Sequence, residues 1–283
     1  MARANGHSLC AGISLGSAAA IRRRRCVMID SLKPVSQAAL PCKICGGAAA
    51  LYGVVDFHKC CEEIRGTRLP LSGVPIYYRR CENCSFLFTD AFDDWNDAQF
   101  KAHIYNADYD TIDPDYKAVR PVANADFVAR IWGPHKAVTG VLDYGGGSDA
   151  FCRALRVNGF PVAVTYDPMV PEYACLPDKK FELVTCFETF EHSPDPAASI
   201  AAIIQCVTEP GLVMYSTFVQ PADFDKSGVG WWYVGPRNGH VSIFSQKALQ
   251  LAWGRHGYKT VSLSDNNHFA FRTLPSYGPG LIT

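Results

Sequence analysis

Three consecutive glycines, Gly145, Gly146 and Gly147, follow an apolar run that ends at Asp143 and precede a helical pattern at 151–157. Because glycine has no Cβ atom, a ligand can lie directly against such a backbone. The order of strand, acidic residue, glycine turn and helix is typical of a nucleotide pocket in a doubly wound sheet. A tight turn without a ligand is the alternative interpretation.

The residues around the glycines discriminate between two ligands. Residues 145–150 match the dinucleotide fingerprint, and Asp167 stands where a ribose-binding acid is expected. A NAD(P)-dependent oxidoreductase is therefore an alternative function. However, Asp143 and Asp149 flank the glycines, and a pyrophosphate requires positive potential at this position. S-adenosylmethionine, which carries a sulfonium and an ammonium group and no phosphate, fits two carboxylates better.

Cysteine spacing predicts a metal site. Two C-x-x-C pairs supply four thiolates, which make a closed tetrahedral zinc site without a position for water, so the predicted zinc is structural. Reduced cysteines without a metal are the alternative. The predicted ligands are Cys42, Cys45, Cys81 and Cys84. Three further residues between the pairs could replace one of them: His58, Cys60 and Cys61.

Candidate acid–base residues follow a buried strand predicted at 181–187. Glu191 and His192 would lie at the carboxyl ends of the central strands, where an imidazole can accept a proton near neutral pH and Glu191 can orient it or contact the substrate. A structural cap of that turn is the alternative role for His192. His240 is a second candidate base, at the end of the aromatic and glycine-rich segment 228–240. We expect that segment to line a substrate pocket, with a packed hairpin as the alternative.

Alternating strand and helix patterns predict a mostly parallel α/β sheet covered by helices. Residues 168–180 are too short for a complete helix–strand–helix unit, so we expect one sheet edge to be trimmed. Residues 86–116 are expected to be irregular, as a lid or a surface loop. The predicted strands lie at 137–143, 161–167, 181–187 and 211–217, with an antiparallel pair at 260–263 and 268–273. The predicted helices lie at 121–131, 151–157, 199–207 and 245–256, the last capped by Ser245.

Composition sets limits on partners. The chain has 27 basic and 27 acidic residues and a net charge of zero, and it contains no apolar run of bilayer length. We therefore expect a cytoplasmic protein with no nucleic-acid or membrane partner; the sequence leaves its oligomeric state open. The sequence predicts a disordered or mis-assigned tail at 1–37, with Met28 as an alternative start. A zinc module at 38–90 and a linker or lid at 91–120 follow. A catalytic domain at 121–275 and a short tail at 276–283 complete the predicted organisation.

Residues 141–147 resemble motif I of class I S-adenosylmethionine-dependent methyltransferases, and Asp167 falls at the ribose-binding acid of that family. Residues 181–192, which end in Phe-Glu-x-x-Glu-His, are similar to a motif of the subgroup that includes sugar C-methyltransferases. That subgroup often carries a four-cysteine zinc module, which the two C-x-x-C pairs match. Ser85 departs from it, because glycine usually follows the second pair there.

The resemblance implies a Rossmann-like sheet of the seven-stranded type and in-line methyl transfer to carbon or oxygen of a small molecule, such as a sugar, with a histidine base. S-adenosylmethionine is the implied cofactor and Zn²⁺ the implied structural metal. A zinc-stabilised binding protein with a degenerate methyltransferase domain is a further alternative. The candidate cofactor contacts are Asp143, Tyr144, Gly145, Gly146, Gly147, Asp167, Phe187, Glu188 and Tyr109.

Overall fold

The computed structural model describes residues 38–276, so the predicted tail 1–37 with Met28, and residues 277–283, lie outside the described residues. In this part of the chain, no helix is both long and apolar enough to cross a membrane. Within 38–276 the strands are β1 (Leu40–Pro41), β2 (Ala48–Asp56), β3 (Pro75–Cys81), β4 (Leu87–Phe88), β5 (Gly140–Tyr144), β6 (Val162–Tyr166), β7 (Phe181–Cys186), β8 (Val207–Ser216), β9 (Ser242–Ile243), β10 (Lys259–Ser262) and β11 (Asn267–Phe271). The α-helices are α1 (Asp97–His103), α2 (Tyr109–Ile112), α3 (Val119–Trp132), α4 (Ala150–Val157), α5 (Pro196–Cys206), α6 (Phe224–Ser227) and α7 (Gln246–Gly254).

The larger sheet has the strand order β10-β11-β8-β7-β5-β6. β6, β5, β7 and β8 are parallel, and β11 and β10 close the sheet as the predicted antiparallel pair. The sheet has six strands in the described residues rather than seven. Residues 168–180 contain a single 3-10 turn, Pro171–Tyr173. This interval is already the crossover between the parallel strands β6 and β7, and it cannot also hold another strand with a second crossover of a dozen or more residues.

Helices cover both faces of this sheet. α3 and α4 pack on the face that contains Val141, and α5 and α7 pack on the face that contains Leu142. Successive strand residues point to opposite faces, so a strand buried on both sides is a nearly continuous apolar run. The predicted cap of α7 is confirmed, because the Ser245 hydroxyl accepts a hydrogen bond from the Ala248 amide at 3.0 Å.

The smaller sheet joins the two halves of the chain. Its order is β1-β2-β3-β4-β9, and all its pairings are antiparallel. β9 comes from the second half of the chain and pairs with β4, with Leu87 opposite Ile243 and Phe88 opposite Ser242. The cysteine-containing segment therefore forms one continuous sheet with a strand that directly follows the 228–240 segment.

The expectation of irregular structure throughout 86–116 was wrong, because this segment contains α1 and α2. α1 begins with a capping box. The Asn96 side-chain oxygen accepts a hydrogen bond from the backbone N–H of Gln99, and the Gln99 side-chain oxygen accepts one from the backbone N–H of Asn96. The Asn-x-x-Gln spacing is a sequence signal for a helix start. α3 begins before the expected Pro121, at Val119.

Candidate functional site

The glycine loop is fixed to the end of the neighbouring strand β6. The amides of Gly145 and Gly146 both donate to the Tyr166 carbonyl, at 2.8 and 3.2 Å, and the amide of Gly147 donates to Asp167 Oδ2 at 2.8 Å. Gly145 and Gly147 have φ values of 78° and 63°, which favour glycine. All three loop amides are therefore already bonded to acceptors of the protein.

Asp143 lies beneath this loop at the end of β5 and is 3% exposed. Its Oδ1 accepts a hydrogen bond from Thr185 Oγ1 at 2.8 Å, and its carboxyl group fills the space that a Cβ atom on Gly146 would need. Burial raises the pKa of Asp143 to about 7; the charges of Asp167 and Asp149 add to this shift, and the Thr185 hydrogen bond opposes it. The end of β5 therefore holds a buried carboxyl group that ionises near neutral pH.

The structure brings most predicted cofactor residues to the carboxyl ends of β5, β6 and β7. Asp167 Oδ1 accepts from the Met169 amide at 2.8 Å, and the Tyr144 ring packs on Tyr166 with the ring centres 5.0 Å apart. Phe187 packs edge-on against Phe151 at 5.4 Å between ring centres.

Two of the predicted cofactor residues have other contacts. Glu188 has a φ of 51°, and its Oε1 accepts from Ser216 Oγ at 2.9 Å. Tyr109 is buried, and its hydroxyl donates to the Asn238 carbonyl at 3.2 Å, so this tyrosine contacts the 228–240 segment.

The three predicted catalytic residues form one cluster. One ligand-type atom each from Glu191, His192 and His240 lies within 4.8 Å of the others. The two imidazole ring centres are 4.8 Å apart, and the rings are nearly perpendicular at 80°. The Val241 amide donates to the Glu191 carbonyl at 2.8 Å, which holds the end of the 228–240 segment against the turn Phe190–His192.

Glu191 and His240 are buried, His192 is half-buried, and the three groups are poorly compensated. Burial, then the charge of Glu188, raises the pKa of Glu191 to about 8. Burial lowers the pKa of His192 to about 4, and burial together with His192 lowers that of His240. Neither carboxylate oxygen of Glu191, nor Nδ1 of His192, has a hydrogen-bond partner of normal geometry. The Tyr233 and Thr217 hydroxyls nevertheless lie close enough to Glu191 to oppose the rise of its pKa.

A cavity of about 330 Å³ opens beside this cluster, and His240 and Glu188 both line it. The predicted substrate segment contributes Trp232, Tyr233 and Asn238 to its wall. Arg237 points elsewhere: it is buried and donates to the Ile104 carbonyl and to Asn106 Oδ1, at 2.9 and 3.0 Å.

The sequence did not reveal two charged residues of this cavity, Arg120 and Asp113. The guanidinium group of Arg120 donates twice to the Asp113 carboxylate, at 3.0 and 2.6 Å, and lies 3.8 Å from Glu188 Oε2. Neither residue belongs to a motif; the start of α3 and the turn after α2 bring them together. Cys61 also lines the cavity, with Sγ 3.5 Å from His240 Nδ1.

The four cysteines of the C-x-x-C pairs converge as predicted, and their sulfur atoms all lie within 4.8 Å of one another. Cys42 Sγ is 3.6 Å from Cys84 Sγ, and Cys45 Sγ is 3.4 Å from Cys81 Sγ. These separations approach the distance of about 3.8 Å expected between sulfurs at tetrahedral corners about 2.3 Å from one zinc ion. The hydrogen bond between Cys42 and Cys84 lowers the pKa of Cys42 to about 5 and raises the pKa of Cys84. The residues therefore fit a zinc ion.

The other possible ligands lie apart from this group in the described structure, where the four cysteines cluster without them. His58 Nδ1 contacts the Pro70 carbonyl at 2.7 Å, and Cys61 lies at the cavity. Ser85 replaces the glycine usual after the second pair and takes a φ of 59°. A Cβ atom on Gly47 would lie 3.3 Å from Cys45 Sγ and 3.5 Å from Cys81 Sγ, so glycine keeps this side of the thiol group open.

Comparisons with known proteins agree with this architecture. A family model described as a methyltransferase domain matches residues 116–263. A ubiquinone biosynthesis O-methyltransferase of Sodalis glossinidius is 32% identical over 121 residues, which cover 41% of this chain and 48% of that protein. A protein of the same name from Saccharophagus degradans is 44% identical over 83 residues, covering 28% of this chain and 34% of that protein.

The chain thus spans about half, or less, of the length of these curated relatives. Among solved structures, an O-methyltransferase family protein from Burkholderia thailandensis has a TM-score of 0.47 and 10% identity, over 64% of each chain.

Proposed function

The chain belongs to the methyltransferase-domain family whose model covers residues 116–263, and on this premise we propose that it transfers a methyl group from S-adenosylmethionine to a hydroxyl oxygen of a small molecule. The observation that carries this proposal is the state of the glycine loop. Its three amides are bonded to Tyr166 and Asp167, so they are not free to bind a pyrophosphate.

The carboxyl groups at the ends of β5 and β6 also favour S-adenosylmethionine over a dinucleotide. Asp143 is buried beneath the loop, and Asp167 lies beside it. A dinucleotide would bring negative charge to these carboxylates, whereas S-adenosylmethionine brings two cationic groups. The Asp167 carboxylate accepts two backbone hydrogen bonds and retains lone pairs for the two ribose hydroxyls. The other proposed contacts are Tyr144, Phe187, Glu188 and Tyr109.

The acceptor is proposed to occupy the cavity beside Glu188 and His240. Phe218 and Trp232 supply apolar surface there, and Glu188 and Arg120 supply charged groups. Such a lining suits a hydroxylated ring compound, with phenols and sugars as the two classes to test. The curated relatives are named as O-methyltransferases, which favours oxygen over carbon as the accepting atom.

Activation of the acceptor is assigned to the cluster of Glu191, His192 and His240. Methyl transfer to a hydroxyl requires loss of its proton and alignment of the oxygen with the sulfonium carbon. His192 acting alone as the general base is the weaker assignment, because its pKa is lowered to about 4 and a base works best near the operating pH.

Structural zinc completes the proposal. Cys42, Cys45, Cys81 and Cys84 would hold the ion between the β1–β2 and β3–β4 connections. Four thiolates leave no open coordination position, so the ion would stabilise the small sheet and take no part in methyl transfer.

Calorimetry with S-adenosylmethionine, S-adenosylhomocysteine and NADH tests the cofactor. We expect the first two to bind and NADH not to bind; binding of NADH alone would support the oxidoreductase instead. Incubation with methyl-deuterated S-adenosylmethionine and panels of phenols and sugars then tests turnover by mass spectrometry. Cofactor binding without label transfer to any compound would favour a binding protein with a degenerate domain.

A further inference from the structure

The two cysteine turns are attached to different parts of the second half of the chain. The turn of the second C-x-x-C pair is joined to the start of α7, where Lys247 Nζ donates to the Asn83 carbonyl at 2.5 Å. The turn of the first pair reaches instead toward Phe190–His192, which carries two of the three predicted catalytic residues. Lys43 makes this contact.

The ammonium group of Lys43 is fully bonded. Its three N–H groups match three acceptors, namely the Thr89 carbonyl at 3.1 Å, Asp93 Oδ1 at 2.5 Å and the Pro194 carbonyl at 3.0 Å. The side chain is 14% exposed, and Nζ lies 5.1 Å from the centre of the Phe88 ring. Fixing a lysine side chain costs conformational entropy, and burial removes hydration from its charge. Three polar contacts and one ring offset these costs and hold the cation in a single place.

The turn Phe190–His192 is held in place through backbone carbonyl groups. The carbonyls of Glu191 and Ser193 accept hydrogen bonds from residues 241–242, at 2.8 and 2.7 Å. The next carbonyl, that of Pro194, accepts the bond from the lysine. Residues 241–242 belong to the second half of the chain, so the lysine is the contribution of the cysteine-containing segment to this turn. It fixes the backbone where the chain leaves the turn.

We propose that Lys43 is a positioning residue for methyl transfer. It fixes the backbone just after the turn and thereby sets where Glu191 and His192 stand relative to the acceptor cavity. This role rests on the proposed function, whereas the contact itself does not. Without the Nζ donor, the Pro194 carbonyl loses this partner and the turn can relax. A displacement of about 1 Å at the reacting groups can lower a rate about a hundredfold, so a contact outside the cavity can control turnover.

The proposal also connects the four-cysteine site with catalysis. Lys43 stands between Cys42 and Cys45, and the Gly46 amide closes this turn by donating to the Cys42 carbonyl at 2.9 Å. A zinc ion held by the two thiolates would fix the backbone on both sides of the lysine. The ion would take no part in bond making, and its influence on the turn would pass through the lysine side chain.

Hydrogen exchange followed by mass spectrometry tests the contact without any substrate. Lys43→Met removes the three donors and keeps the apolar stem. We expect about tenfold faster exchange in the peptide 190–195, because a charge-assisted bond is lost, and no change in the glycine loop 140–147. The matched control Lys247→Met removes the lysine that joins the other cysteine turn to α7, and its peptide 190–195 should exchange as in wild type.

Steady-state kinetics of the same variants tests the positioning role. The lining of the acceptor cavity does not include Lys43. Lys43→Met should therefore lower kcat by about tenfold to a hundredfold and leave the acceptor KM, the S-adenosylmethionine affinity and the zinc content near wild type. Unchanged exchange or unchanged kcat in Lys43→Met would overturn the proposal. An equal fall of kcat in Lys247→Met would overturn it too, because general loosening of the small sheet would then explain the effect.

A second variant covers the case in which Lys43→Met does not fold. Asp93→Asn keeps the lysine and removes its partly exposed anionic partner, so exchange of 190–195 should rise and kcat should fall, both by about twofold to fivefold. Wild-type values for both quantities would refute the role of the lysine. Absence of methyl transfer by wild-type protein would refute the proposed function, and the exchange result would still decide whether the lysine holds the turn. Wild-type turnover with an unaltered kcat in the variants retains methyl transfer and removes the lysine from it.

Discussion

Replacing Asp143 with asparagine should make the protein more stable at alkaline pH and weaken its binding of a cationic cofactor. The substitution preserves the side-chain shape, and the amide oxygen can still accept the hydrogen bond from Thr185 Oγ1, which is 2.8 Å long in the wild type. What it removes is a carboxyl group that is 3% exposed and must ionise without a compensating positive partner.

The magnitude follows from the pKa of Asp143, which is raised from 3.8 to about 7 on folding. A raised folded-state pKa means that the acid contributes most to stability below pH 3.8, and that this contribution is lost as the pH rises through 7. At about 1.4 kcal/mol per pKa unit, the folding stability lost relative to acid pH is about 1.5 kcal/mol at pH 5 and about 4 kcal/mol at pH 8. Asparagine does not titrate, so the variant escapes this loss.

Guanidinium unfolding at pH 5 and pH 8, followed by circular dichroism, measures the difference. The stability of Asp143→Asn relative to wild type should increase by about 3 kcal/mol between these values. The control Asp178→Asn removes an exposed carboxyl and should show no such trend. Calorimetry at pH 8 should show weaker S-adenosylmethionine binding to Asp143→Asn. A pH-independent stability difference would refute the buried-charge argument, and unchanged cofactor affinity would refute the electrostatic role.

Three further outcomes are expected. Asp167→Ala should weaken S-adenosylhomocysteine binding by about tenfold to a hundredfold, because charge-assisted hydrogen bonds to the ribose are lost. Calorimetry measures this affinity, and a variant that binds as tightly as wild type would exclude the ribose contact. Trp232→Ala should raise the KM for the acceptor by up to about tenfold and leave cofactor affinity unchanged, since this ring lines only the acceptor cavity; a parallel loss of cofactor binding in calorimetry would contradict the assignment. Cys84→Ser should lower zinc affinity by more than about tenfold and lower the unfolding midpoint, since even changes to residues that only contact a metal ligand lower metal affinity about tenfold. The control variant Cys175→Ser removes an exposed thiol and should keep its zinc. Equal zinc content of the two variants in metal analysis would count against the four-cysteine site.

The sequence alone was sufficient for features that depend on local spacing. Alternating strand and helix patterns predicted the parallel sheet and its closing hairpin, because each period reflects which side chains a single element must bury. The two C-x-x-C pairs predicted the sulfur cluster, since a short turn fixes two thiols on one side. The capping box of α1 is likewise a local signal, carried by the spacing of Asn96 and Gln99.

Only the tertiary structure decided how distant segments combine at the carboxyl edge of the sheet. His240 reaches Glu191 and His192 because the neighbouring Val241 amide bonds the Glu191 carbonyl, and no local period in the sequence specifies that contact. Arg120, at the start of α3, bonds Asp113 and lies 3.8 Å from Glu188 just after β7, and these contacts are likewise set by packing. Parallel strands need long crossovers, so a site at their common edge collects residues that are far apart in the chain. Packing, rather than spacing, therefore set the geometry of the site.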